Sequence, residues 1–402
     1  MMMKRRQNYF RYLSLVLLLT FAWTTFAPAQ SGRQQTPPDQ NQKKNKRPDP
    51  STKPDEPPVP PDLGKDPDDI VRVVTSLINI ETVVYHKKSG QIVTGLKKEN
   101  FTILEDGQPK EITFFSTPEA PITVTMVIDY SKLTAAFGYL GNNGQEPGQY
   151  EVLRPAAEFL SRFVKPPDDY VSVIAYDLRP TPITDFTNDP RRIQQVITLL
   201  ARNQPAFSDS NLFDAMKLTL IGGKADSVVL EESKSRTTEY SGMASLKGRR
   251  KAAIIIGSGI DTFSKINFDT TRKIVQEAGV PLYFIGTGEL FIKKFGDDLD
   301  PSRVMPGTPD RLTFYQAKNQ LSTFAKESGG AYYPVTFAGE IRGVLQSINA
   351  MLRSQYSLGF TPTRDGKAHK LTVRVDVNGD GQTDEKEFVV QARTVYTVPK
   401  DK

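Results

Sequence analysis

The side chains in this chain best suited to chemistry carry oxygen. Asp129 and Ser131 follow the apolar run ITVTMVID. Ser208, Asp209 and Ser210 precede the helical pattern NLFDAMKLTL, and Ser258 and Asp261 lie in GSGIDTFSK, just after the apolar run KAAIII. Carboxylates and hydroxyls grouped in this way are the hard donors that Mg²⁺ or Ca²⁺ takes. A second group is denser. Residues 376–387, DVNGDGQTDEKE, meet the spacing D-x-[DN]-x-[DN]-G-x₅-E in full. Asp376, Asn378, Asp380, Gln382 through its carbonyl, Asp384 and Glu387 are then the calcium ligands, with Gly381 at the sharp turn. The flanks HKLTVRV and FVVQARTVY read as strands, so such a loop would hold calcium inside a β-hairpin rather than between helices. The same residues also make a plain hairpin turn with its acids in water.

Other catalytic equipment is sparse. Cysteine is absent, which excludes thiol nucleophiles, thiolate metal sites and disulfides. His86 and His369 are the only histidines, and both fall in β-patterned segments outside the central region, so no histidine-based triad assembles there. IGSGI around Ser258 lacks the spacing of a nucleophile elbow, GGK at 222–224 lacks the upstream glycine of a phosphate loop, and GTGE at 286–289 is too short to specify phosphate. The expectation is a protein without enzyme activity and without an organic cofactor.

The oxygen groups need a scaffold, and the pattern supplies one. Between residues 119 and 353, the apolar runs ITVTMVID, YVSVIAYD, KAAIIIGSG and VPLYFIGTG alternate with segments of 3.6-residue periodicity such as EVLRPAAEFLSRFV, DPRRIQQVITLLAR and GEIRGVLQSINAMLRSQ. That alternation predicts an α/β fold, doubly wound, with a mostly parallel sheet and helices on both faces. Ligands of such sheets bind beyond the carboxyl ends of the strands, where Asp129, Ser210 and Ser258 fall. Residues 69–118 and 354–402 instead show short period-two segments, with an Asp106-Gly107 hairpin turn between FTILE and KEITFF. The two ends are expected to pair into one small antiparallel β domain flanking the α/β unit. Two long polar connections, 222–250 and 289–312, adjoin the oxygen-bearing edge and are expected either to shape it or to be disordered.

The first 29 residues have a basic start, an apolar stretch and Ala27-Pro28-Ala29, the form of a secretory signal peptide. Residues 30–68 are rich in proline and mixed charge, too poor in apolar side chains to fold, and read as a tether. The net charge of +6 owes much to the leader, and the near-balanced remainder argues against nucleic acid as a partner. The expectation is an exported protein, periplasmic or secreted, with no transmembrane span after cleavage of the leader.

The three loops together resemble the metal-ion-dependent adhesion site of von Willebrand factor A domains, in which a D-x-S-x-S loop, a threonine and an aspartate hold a cation that an acidic partner completes. Asp129 and Ser131 match the first loop while Leu133 stands at its second serine, Ser210 stands at the threonine, and Ser258 stands at the aspartate. The longer segments GRRKAAIIIGSGIDTFSK, AGVPLYFIGTG, NQLSTFAKESGGAYYP and MLRSQYSLGFTPTRDGK, with VTGLKKENFTILEDGQPKEITFF, resemble the VWFA-related proteins described from acidobacteria. The resemblance implies an adhesion-type module that binds a protein partner through a degenerate metal site. Asp209 or Asp261 would substitute for the missing carboxylate if Mg²⁺ or Ca²⁺ still binds. A structural envelope protein stiffened by a calcium-bound hairpin is the alternative, and a secreted hydrolase a weaker one.

Overall fold

Strand β5 (Ile122–Asp129) is buried along its whole length, as a central strand covered on both faces must be. It lies between β6 (Tyr170–Tyr176) and β10 (Arg250–Gly257) in a six-stranded sheet whose outer members are β7 (Pro180–Thr187) on one side and β11 (Leu282–Gly286) and β12 (Ala331–Pro334) on the other. All pairings are parallel except the β6–β7 hairpin. The computed structural model describes residues 77–118, 120–135, 148–224, 239–246, 249–300, 302 and 309–399. The predicted leader, the tether, the start of the first predicted strand and residues 225–238 of the first long connection lie outside them.

Alternate residues of each strand feed two separate cores. Val124, Met126 and Ile128 of β5, with Ile254, Ile256 and Ile285, pack against α2 (Gln149–Phe163), α3 (Pro190–Arg202) and α8 (Glu340–Arg353). Val127, Ile255, Phe284 and Tyr176 face the other way, onto α4 (Leu212–Ile221), α5 (Phe268–Ala278) and α7 (Arg311–Ser328). The helix ends follow local rules. Asp189 caps α3 ahead of Pro190, Asn267 caps α5, and α5 stops at Gly279 in the left-handed region. Two short helices fall where the sequence reading placed loops: α1 (Lys132–Ala135) and α6 (Gly288–Phe295). The second forms because Leu290 and Phe291 find an apolar bed on Phe314 and Ile260.

Strands from the two ends of the described residues meet. β1 (Ile78–His86) pairs with β13 (Tyr356–Phe360) and β15 (Phe388–Gln391), and β4 (Phe114–Ser116) joins the far side of β13. β2 (Phe101–Glu105) pairs with β14 (Ala368–Val375), flanked by β3 (Gln108–Lys110) and β16 (Val395–Thr397). These two four-stranded antiparallel sheets share one core that includes Ile80, Phe101, Ile103, Tyr356, Phe360, Val375 and Tyr396. At the β2–β3 turn Asp106 and Gly107 both have positive φ, 49° and 85°, the geometry that twists a two-residue hairpin correctly. The crossings into and out of the α/β layer are tied to one side chain. The buried Arg250 guanidinium donates to the carbonyls of Pro118 and Ala120 on the way in, and of Leu352 and Gln355 on the way out.

His369 of β14 is clamped between carboxylates, Nδ1 on Asp106 at 2.7 Å and Nε2 on Asp365 at 2.9 Å, with its ring against Tyr396. Burial alone would lower its pKa, but the two carboxylates outweigh it and raise the value, so the imidazolium is favoured. A histidine raised in the folded state stabilises fully below its unfolded pKa of about 6.5 and loses that contribution as pH rises through the folded value. Glu81, pushed up to about 7 by burial, acts in the same direction. Thermal melts of wild type and His369→Gln from pH 5.5 to 8.5 separate the two: their Tm difference is expected to be largest at the acid end and to shrink steadily above neutrality.

Candidate functional site

At the carboxyl edge, register sets three residues in a row on the α4 face. Asp129 of β5 pairs with Tyr176 of β6, and Gly257 of β10 extends the Ile128–Ile256 register beside Asp129. Asp129 is buried, with 1% of its surface exposed. Its Oδ1 accepts the Ser131 N–H at 3.1 Å, and its Oδ2 faces the N–H and hydroxyl of Ser258 at 3.5 and 3.4 Å. Burial raises the Asp129 pKa, and the bonds from Ser131 and Ser258 offset only part of that.

Tyr176 was not among the residues singled out from sequence. A Cβ added at Gly257 would lie 2.5 Å from the Tyr176 oxygen and 2.8 Å from Asp129 Cβ, so the phenol occupies the space a side chain at position 257 would need. Burial pushes this phenol well above its ordinary pKa, and the charges of Asp129 and Asp261 add to the effect. The Ser210 hydroxyl neighbours the phenol. The hydroxyls of Ser131, Ser210 and Tyr176 are all buried without a hydrogen-bond partner in good geometry among the described residues. Thr287, whose N–H donates to the Gly257 carbonyl at the end of β11, leaves a fourth such hydroxyl. The period-two pattern of YVSVIAYD carried the signal for Tyr176, but only the register places it beside Asp129.

The structure thus gathers Asp129, Ser131, Ser210 and Ser258 and sends Asp209 and Asp261 elsewhere. Asp261 Oδ1 accepts the Phe213 N–H at 3.0 Å and the Ser264 hydroxyl at 2.5 Å, while Ser264 Oγ accepts the Asp214 N–H at 3.0 Å. Asn211, at the cap position of α4, makes no side-chain capping bond, so residues 261–264 satisfy the first-turn N–H groups from a distance. Burial raises the Asp261 pKa, with Ser264 and the Phe213 N–H opposing. Asp209 meets the Thr262 hydroxyl at 3.5 Å, and Thr262 also exchanges hydrogen bonds with the Ser210 backbone. Leu133, in place of a serine, packs on the cluster of Ile260, Leu290, Phe291 and Phe314.

This donor set does not fit a tightly held divalent ion. It offers one carboxylate, already hard to ionise, beside a hydroxyl where a second carboxylate would share the cation's charge. In the 376–387 loop, Asp376 accepts the N–H groups of Gly379 and Gly381, Asp380 that of Gln382, and Asp384 that of Val377. Each of these acids retains further lone pairs, and the Glu387 carboxylate has no partner among the described residues. No three acidic or histidine side chains converge on a common point among the described residues. Calcium would therefore need Glu387 to close over the loop.

Two measurements follow from the buried row. Gly257→Ala is expected to lose about 1–3 kcal/mol in denaturant unfolding, the usual cost of overpacking, and Tyr176→Phe in that background to recover part of it. Millimolar Mg²⁺ is expected to leave the wild-type Tm unchanged and to raise that of Leu133→Ser/Ser258→Asp, since 5 mM of an ion with millimolar Kd adds about 1 kcal/mol.

No family model matches this sequence, and no curated protein matches it. Solved structures overlap part of the chain. The PilB minor pilin from Streptococcus sanguinis aligns at 10% identity and a TM-score of 0.39, over 61% of this chain and 63% of that one. Proximal thread matrix protein 1 from the mussel byssus, solved with a zinc-occupied MIDAS motif, aligns at 11% identity and a TM-score of 0.39, over 62% and 49%. BatB from Bacteroides thetaiotaomicron, a conserved hypothetical protein, aligns at 15% identity and a TM-score of 0.33, over 58% and 100%. The chain spans less than two thirds of the pilin and about half of the byssus protein.

Proposed function

We propose that this chain is an exported, non-enzymatic binding protein of the von Willebrand factor A type that holds a protein partner with the loops at the carboxyl edge of its sheet, without a metal ion. One observation carries the reading. Phe207 and Phe263, 45% and 68% exposed, stand on the two loops that the Ser210–Thr262 hydrogen bonds tie together. Large aromatic side chains left in water beside a rigid edge are the anchors that protein interfaces bury. The leader pattern supports export, and the sparse catalytic equipment supports binding over catalysis.

With the wild-type chain as bait against an envelope extract, Phe207→Ser/Phe263→Ser is expected to retain the partner at least about tenfold less well, the loss of one or two anchors. Its Tm should match wild type. Equal retention by the variant would remove the surface from consideration.

The Glu387 carboxylate, without a partner among the described residues, and the complete ligand spacing favour a second role, a calcium-stiffened loop at 376–387, which joins β14 of one sheet to β15 of the other instead of closing the hairpin expected from the sequence. Calcium would neutralise the acids that crowd this turn, with Asp376, Asn378, Asp380, Asp384 and Glu387 as its side-chain ligands. Millimolar Ca²⁺ is then expected to raise the Tm of wild type and not that of Asp380→Ala or Glu387→Gln.

A further inference from the structure

On the flank of α4, next to the carboxyl edge, lies an open cleft of about 570 Å³. Four separate segments each bring one cation to it: Arg179 from the β6–β7 turn, Lys217 from α4, Lys224 from β8 (Gly223–Lys224) and Lys265 from the loop that caps α4. The ammonium groups of Lys217, Lys224 and Lys265 make no ion pair or hydrogen bond with the described residues, and all three side chains are exposed. Lysines on a solvated surface normally diverge or alternate with acids. Here they line one concavity whose only acid among the described residues is Asp214, and Asp214 Oδ2 is already engaged by the Lys265 N–H at 3.0 Å. A concave surface of one sign focuses the field and draws in anions.

A second feature narrows the ligand. Asn211, 5% exposed, lines the same cleft and donates its amide to the Leu178 carbonyl at 2.6 Å, while its Oδ1 is buried and unpartnered among the described residues. A buried acceptor of this kind calls for a hydrogen-bond donor, and phosphate, nearly all acceptor at neutral pH, is a poor one. A nucleic-acid strand would look for aromatic platforms, and the lining has none among the described residues. A peptide chain with acidic side chains brings both groups, amide N–H for Asn211 and carboxylates for the lysines, and Leu178, Pro180 and Leu218 give its stem an apolar floor.

We propose that this cleft takes an acidic polypeptide segment. The inference names the chemistry of the partner in the function proposed above and rests on that reading, but it uses different residues. The test is fluorescence anisotropy of a labelled poly-glutamate peptide with the full chain at low and physiological salt. Binding should weaken as salt rises, fall about tenfold or more in Lys217→Gln/Lys224→Gln/Lys265→Gln, and persist in the matching triple arginine variant, all with unchanged Tm. Undiminished binding by the glutamine variant, or equal competition by a single-stranded oligonucleotide of the same charge, overturns the proposal. Phe207→Ser/Phe263→Ser should still bind the peptide. If that pair loses the natural partner while the lysine variant keeps it, the edge is the contact surface and the acidic-segment assignment is wrong.

Discussion

Arg250 holds the architecture together. Its guanidinium is buried and meets four backbone carbonyls, two before the first central strand, one in the last turn of the last helix and one just after it. A buried cation is tolerable only when its donors are satisfied, and four carbonyl oxygens accept from this one. That choice fixes the two chain crossings side by side, which lets strands from opposite ends of the sequence form one pair of sheets. The α/β layer can then present its carboxyl edge while its opposite end is pinned.

At that edge the governing constraint is steric. Tyr176 reaches across Asp129 to the position where Gly257 lacks a side chain, and the three residues only make sense together. Where the adhesion-site pattern would converge charge, this edge converges neutral hydroxyls around one reluctant carboxylate. Leu133 follows the same logic, since its neighbours are Ile260 and the apolar face of α6 rather than a water-filled cup. The edge packs apolar side chains beneath Leu133 and exposes Phe207 and Phe263 above.

The sheet and its main helices were legible because apolar period and length agree in runs such as ITVTMVID and in amphipathic segments such as DPRRIQQVITLLAR. The meeting of the termini was legible as a pattern but not as a register, because β1 finds β13 and β15 at separations no local signal encodes. Helix α6 was missed because two turns opening on glycine have too few residues to show a period. In the site, the positions of Asp129, Ser131, Ser210 and Ser258 followed from motif order. Asp261 was read as a spare ligand because a sequence cannot show that α4 lacks its own cap and borrows one.

The Arg250 clasp also bears on the order in which the molecule assembles. β1 can pair only with strands made near the end of synthesis, and closing a loop of that length is slow and entropically costly. Once the α/β layer has folded, its entry and exit points sit together at one guanidinium, and the span left to close shrinks from the whole layer to a few residues on each side. The parallel sheet thereby serves as a folding template for the antiparallel one, and a chain released before Tyr356 would leave β1 unpaired and β2 with one edge open to aggregation.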